Sequence, residues 1–157
     1  MGNDISMANG EFKLNTRVAV LIENEGRYLL ENIEGYDYYN LPGGRVKFGE
    51  TTPKALVREL KEELDLDISS FELKLIVIAE NLFYHNNFNY HEFDFVYYLK
   101  LDNNNTITKL GKIDGIDNKK QHLYWINKDE VKDLKCLPPF IYDLDPTQLK
   151  HVILDTL

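Results

Sequence analysis

The chain of 157 residues holds one cysteine, Cys136, so neither an internal disulfide framework nor a Cys-based zinc site is open to it, and a cytoplasmic, reducing location is expected. It has no apolar run approaching the length of a bilayer crossing, and Met1 to Gly10 lacks the basic and apolar parts of a secretion signal. The expectation is a protein neither secreted nor inserted in a membrane. Positive charge is scarce: 18 Lys and Arg face 26 Asp and Glu, a net charge of −8 that repels duplex nucleic acid and anionic membrane surfaces alike. That field also repels phosphate-bearing small molecules, unless divalent cations neutralise the clash. Internal repeats and low-complexity tracts are missing too. With 43% apolar and 12% aromatic residues the chain is not of the disordered class, and its length suits one domain around one core.

Residues up to about Phe12 are small and polar and read as a loose leader, residues 1–12. Arg17 to Ile22 and Tyr28 to Ile33, parted by Asn24-Glu25-Gly26, have the pattern of a hairpin. After the breaker Leu41-Pro42-Gly43-Gly44 the period changes. Leu56, Leu60 and Leu64 recur at i, i+4 and i+8 beside Ala55 and Val57, an amphipathic helix over Thr51 to Leu66 with Thr52 as N-cap and Pro53 opening it. Phe71 to Phe83 and Tyr90 to Leu101 read as long strands around a turn at His85-Asn86-Asn87, and Leu123 to Ile126 as a short strand carrying Trp125, a core residue. Short helices are expected over Lys128 to Leu134, capped by Asn127, and near Pro146 to Leu154. Strands, one central helix, more strands and closing helices make an α+β sandwich.

The chemistry concentrates after Gly44. Five residues on stands Glu50; seven more lead to Arg58-Glu59-Leu60-Lys61-Glu62-Glu63-Leu64-Asp65-Leu66. Glu59, Glu62 and Glu63 lie at i, i+3 and i+4, so three carboxylates share one helix face while the leucines take another. A solvated helix would intersperse basic residues there; a divalent-cation site wants this crowding of oxygen. A plain charged stripe is the competing reading, disfavoured by the glycine-rich entry and Arg58.

The run resembles the Nudix box, G-x5-E-x7-R-E-U-x-E-E-x-G-U with U apolar, and departs from it only at Asp65, where the pattern has glycine. Chance agreement of the six matching residues at one start is roughly 10⁻⁷. The resemblance implies a Nudix-type α/β/α sandwich with a mixed sheet and a central helix. It also implies a hydrolase that cleaves a nucleoside diphosphate linked to another moiety by attack of water on phosphorus. By the same resemblance Glu59, Glu62, Glu63 and the carbonyl of Gly44 would hold Mg²⁺ or Mn²⁺, and Arg58 and Glu50 would orient those glutamates. Asp65 falls where the helix needs a left-handed residue, which Asp tolerates better than most at a cost of about 1 kcal/mol.

Members of the family differ in the general base, and Glu59, Glu92, Asp114 and Asp117 are candidates. Tyr36, Tyr38, Tyr39, Phe83, Tyr84, Phe88 and Tyr90 offer aromatic faces for a base, although such residues are more often strand and core residues, by about three to one. His91 beside Glu92 suits a phosphate or ribose contact, and Arg45, next to Gly44, is the arginine best placed for phosphate. Arg45, Glu92 and Tyr39 are therefore the expected substrate contacts, and the expected partner is a small nucleotide, either a nucleoside triphosphate or ADP-ribose or a relative. Phe12 to Leu14 as an edge strand would allow a homodimer. A catalytically silent nucleotide sensor usually loses box glutamates, all of which are present here, and an isoprenoid diphosphate isomerase would want a catalytic Cys that Cys136 does not supply.

Overall fold

The computed structural model describes residues 3–157. Among them, nine strands and one α-helix follow the chain as β1 (Ser6–Asn9), β2 (Phe12–Asn24), β3 (Arg27–Ile33), β4 (Gly43–Arg45), α1 (Thr52–Leu64), β5 (Lys74–His85), β6 (Phe88–Lys100), β7 (Lys112–Asp114), β8 (Gln121–Asn127) and β9 (Lys150–Asp155). The strands form one mixed sheet in the order β7-β8-β3-β2-β6-β5-β9, with β1 and β4 also paired to β2. No helix is long and apolar enough to cross a membrane among the described residues.

β2 organises the sheet. One edge runs parallel to β6 along nearly its whole length, from Phe12↔Asn89 to Glu23↔Lys100. The other edge is shared by three short partners: β1 at Phe12 to Asn15, β4 at Arg17 to Ala19, and β3 at Glu23 and Asn24 only. The β2–β3 hairpin therefore splays after two pairs, and Gly43-Gly44-Arg45 fills the gap. Both faces of β2 are covered, so Val18 to Ile22 is apolar throughout instead of alternating. Val18, Val20 and Ile22 join the core under α1, together with Leu56, Leu60 and Leu123. Ala19 and Leu21 join a second core on the far face, with Leu30, Leu41, Val96 and Phe140.

α1 is capped one residue before the expected position. Thr51, not Thr52, is the N-cap, its hydroxyl accepting from the Lys54 amide at 3.5 Å, and Pro53 stands in the first turn. Asp65 ends the helix at φ 51°, ψ 32°, the left-handed conformation its position demands, with the amides of Asp65 and Leu66 bonded back to the carbonyls of Lys61 and Leu60. The paired strands around His85-Asn86-Asn87 and the Trp125 strand lie where the apolar patterns put them.

Three expectations are corrected. Residues 1–12 are no loose leader over the described part, because Ser6–Asn9 pairs with β2 in a hairpin; Met1 and Gly2 lie outside the described residues. Phe12 to Leu14 is not a free edge, since β1 and β6 flank it on both sides and take its backbone hydrogen bonds. The final helix near Pro146 to Leu154 is instead β9, added in parallel to β5, with Val152 and Leu154 turned to the far core and Ile153 to solvent. The layer opposite α1 is thus thinner than an α/β/α sandwich implies. It is made of 3₁₀ turns at Lys128–Asp133 and Pro139–Asp143. The fold is α+β, a mixed sheet with one central helix.

Candidate active site

Arg58 is the hub of the box. Its Nε and Nη2 grip the Glu50 carboxylate at 2.8 and 3.1 Å, its Nη1 donates to Glu59 at 2.8 Å and Glu62 at 3.3 Å, and its Nη2 also reaches the Arg45 carbonyl at 3.0 Å. Burial works against the guanidinium charge, but the bonds from Glu50 and Glu59 outweigh it and its pKa is raised. Eight residues separate Glu50 from Arg58, so the loop Arg45 to Glu50 is pinned to the helix by these bonds.

Gly43 is required by backbone contact, and Gly44 leaves the room that the Glu59 carboxylate occupies. A Cβ on Gly44 would lie 2.2 Å from the Glu59 carboxyl carbon, and one on Gly43 would lie 2.1 Å from the Val18 carbonyl. Gly44 backbone therefore sits directly against the Glu59 carboxylate, as a cradle that any side chain would fill.

Glu63 points into the molecule. Its Oε2 is buried without a hydrogen-bond partner, and burial, followed by the charges of Glu31 and Glu59, pushes its pKa up to about 8. Glu59 is raised for the same first reason, with Arg58 opposing. Glu59 and Glu62 are drawn to Arg58, and among the described residues no three His, Cys, Asp or Glu side chains converge ready for an ion. The donor set nonetheless fits a hard divalent cation: three carboxylates, one of them with a buried, unpartnered oxygen, beside an uncovered glycine backbone. Binding of such an ion would require Glu59 and Glu62 to leave Arg58.

Four residues that the motif did not reveal complete the setting. The Arg17 guanidinium crosses the gap between β2 and β3, donating to the Leu41 carbonyl at 2.9 Å and lying 3.9 Å from the buried Glu31. Gln121 donates to Glu31 at 2.5 Å, and Asp94 stands opposite Arg17 in the β2–β6 register. Burial raises Glu31 above the ordinary carboxylate range despite Arg17. A charged residue within an otherwise apolar strand was the available signal for Glu31 and Asp94.

The other candidates scatter. Arg45 is exposed beside the box and 3.6 Å from Asp4. Glu92 is buried on the sheet face away from α1, accepting from Asn15 at 2.6 Å, while His91, on the opposite side of β6, rests near the Phe93 ring. Tyr39 is half-buried on that far face, edge-on to Tyr124 at 6.3 Å and bonded through its backbone to Lys135 and Leu137. Asp114 is exposed and held by His122 at 2.7 Å, and Asp117 is exposed in the loop after β7. Tyr36, Tyr38, Phe83, Phe88 and Tyr90 gather at one end of the far face, whereas Tyr84 points outward. Trp125 is only partly buried, its indole N–H bonded to the Ile107 carbonyl.

The NUDIX domain family model matches residues 13–147, which includes the whole box and all of the sheet strands but β1 and β9. The chain belongs to the Nudix family. Solved structures agree in fold: the mutator MutT protein of Bacillus halodurans has a TM-score of 0.69 at 15% identity, covering 90% of this chain and 91% of that one. The E. coli dihydroneopterin triphosphate pyrophosphohydrolase has a TM-score of 0.60 at 19% identity, over 76% and 85%. The MutT Nudix hydrolase of Burkholderia pseudomallei has a TM-score of 0.55 at 22% identity, over 74% and 84%. This Nudix protein is accordingly a pyrophosphohydrolase, acting on anhydrides in phosphorus-containing compounds. Nudix hydrolases generally use divalent metals and small-molecule nucleotide substrates.

Proposed function

We propose that this Nudix enzyme is a Mg²⁺- or Mn²⁺-dependent hydrolase of a nucleoside diphosphate linked to another moiety, such as a nucleoside triphosphate, ADP-ribose or a related nucleotide. The Glu59 carboxylate against the Gly44 backbone, with Glu62 on the same arginine and a buried, unpartnered oxygen on Glu63, carries this reading. Those three carboxylates and the Gly44 carbonyl would hold the metal, which would supply charge neutralisation of the diphosphate and activation of water. An acidic protein can then accept an anionic substrate.

The chain's own residues do the positioning. Glu50 fixes Arg58, and Arg58 sets where Glu59 and Glu62 stand when they release it. Glu59, the carboxylate closest to the glycine backbone and raised toward neutrality by burial, is suited to take a proton from the attacking water. Arg45, exposed at the rim, has a guanidinium free to turn from Asp4 to a phosphate. Asp114 is a poorer base, because His122 and Lys112 already engage its carboxylate.

The test is incubation with Mg²⁺ or Mn²⁺ and a panel of nucleoside triphosphates, ADP-ribose and dinucleoside polyphosphates, with products separated by chromatography and Glu63→Gln as control. Hydrolysis by the wild type and not by Glu63→Gln supports the reading. Turnover of no panel member, joined to metal-dependent thermal stabilisation by one of them, would overturn it in favour of a silent nucleotide binder.

A further inference from the structure

Strand β9 ends the sheet, and its outer side has no partner among the described residues. Thr156 donates its amide to the Leu82 carbonyl, so the even positions of β9 bond to β5. The backbone groups of His151, Ile153 and Asp155 therefore face outward. Such an edge is a template for another strand, and proteins usually blunt it with charge, proline or a bulge inside the strand. Lys150–Asp155 uses none of these: its full charges stand at the two ends, and its middle is Val152-Ile153-Leu154. Val152 and Leu154 turn to the far core, which leaves His151, Ile153 and Asp155 on the other face. Ile153 is 66% exposed, and Leu149 and Leu157, which bracket the strand, are each 54% exposed. Beside them Ile78 and Leu82 of β5 are half-buried and belong to neither core.

The order of residues makes this edge self-complementary. A two-fold axis through it keeps each sheet face on its own side, so it pairs only positions that share a face. With the axis at Ile153, that residue meets its own copy, His151 meets Asp155 of the second copy in both directions, and Leu149 meets Leu157. On the far face Val152 meets Leu154. An axis at Val152 would instead set His151 against Ile153 and Lys150 against Leu154, and one at Leu154 would set Ile153 against Asp155. Each of these places a polar group opposite an aliphatic side chain.

We propose that β9 is the docking edge for a second copy of this chain: two β9 strands join in antiparallel register about Ile153 and make one continuous sheet. The outward amides and carbonyls of His151, Ile153 and Asp155 are then bonded to those of the other copy. The apolar strip of Ile78, Leu82 and Ile153 continues across the axis onto the same residues of the second copy. His151 keeps its bond to Glu80 at 2.7 Å while facing Asp155 of the second copy, so each end of the ladder carries an opposite-charge contact. The contact closes on itself, because it uses up the edge in both copies and β7, at the other end of the sheet, offers only three residues. One strand pair is a small interface, so the dimer is concentration-dependent.

Sedimentation equilibrium of the full chain from about 1 to about 200 µM should show the mass rising from 18.4 kDa toward twice that value. Ile153→Lys puts two like charges on the axis and should stay monomeric throughout, with an unfolding midpoint close to that of the wild type because the side chain is exposed. Ile153→Cys should oxidise to a disulfide-linked dimer that a reductant reverses. His151→Cys should not, since the register holds its two copies apart. Cys136 is buried and does not compete. A wild type that is monomeric at every concentration would overturn the inference and leave the edge to solvent or to another chain. Dimers that persist in a folded Ile153→Lys, or equal cross-linking through positions 151 and 153, would overturn it too. Should Ile153→Lys fail to fold, the two cysteine variants decide. None of these outcomes depends on hydrolytic activity.

Discussion

Glu63 ties stability to catalysis. In the metal-free protein its folded pKa of about 8 exceeds the unfolded value of 4.5, so between these the folded state binds more protons than the unfolded one. Stability therefore falls as pH rises from about 4.5 to about 8 and then levels, and Glu31, Glu59 and Asp94 push in the same direction. Thermal midpoints in a chelator should show this decline, and Mn²⁺ should restore the midpoint at the alkaline end. Glu63→Gln is expected to raise the metal-free midpoint, flatten the decline, and cost at least about 100-fold in kcat. Glu50→Gln acts through Arg58: one of the two gripping oxygens becomes an amide, and metal affinity or kcat should fall by about 10- to 100-fold with little change in KM. Equal effects on KM and kcat would point to a substrate contact instead.

Helix α1 shows how a departure from a motif is absorbed. Asp65 adopts the left-handed conformation for which the pattern has glycine, and Lys61 pairs with its carboxylate on the exposed surface. Asp65→Gly should gain somewhat less than about 1 kcal/mol, since relief of the backbone is partly offset by the lost surface pair. Chemical denaturation measures this, and the hydrolytic rate should not change because Asp65 points away from the carboxylates of the box. The closing segment shows the reverse. Lys150 to Asp155 alternates between half-buried and exposed positions, a strand pattern that a proline and spaced leucines obscured. What makes it a strand is the free edge of β5, more than sixty residues away in sequence.

The molecule has two cores, divided by the sheet, and the far one is closed along one side by β9. Leu154 and Val152 pack there with Leu21, Val96 and Phe140. Leu154→Ala should cost about 1–3 kcal/mol, because the side chain is only half-buried, and would loosen β9 from β5. Backbone hydrogen exchange at Val77 to Leu82 should accelerate in that variant; an unchanged β5 would mean that β9 is held by its backbone ladder alone.

Local spacing sufficed for α1, its left-handed end, the two long strands and the grouping of Glu50, Glu59 and Glu62 around Arg58, because each depends on neighbours within two or three helical turns or along one strand. It did not reach Arg17, Glu31, Asp94 or Gln121, which lie on four different strands. Nor could it show that Phe12 to Leu14 is enclosed, or that the chain's last strand completes the far core. Those facts follow from pairing between distant segments: β2 lies between β6 on one side and β1, β4 and β3 on the other, and the gap where β3 diverges is what brings buried charges to the back of the box.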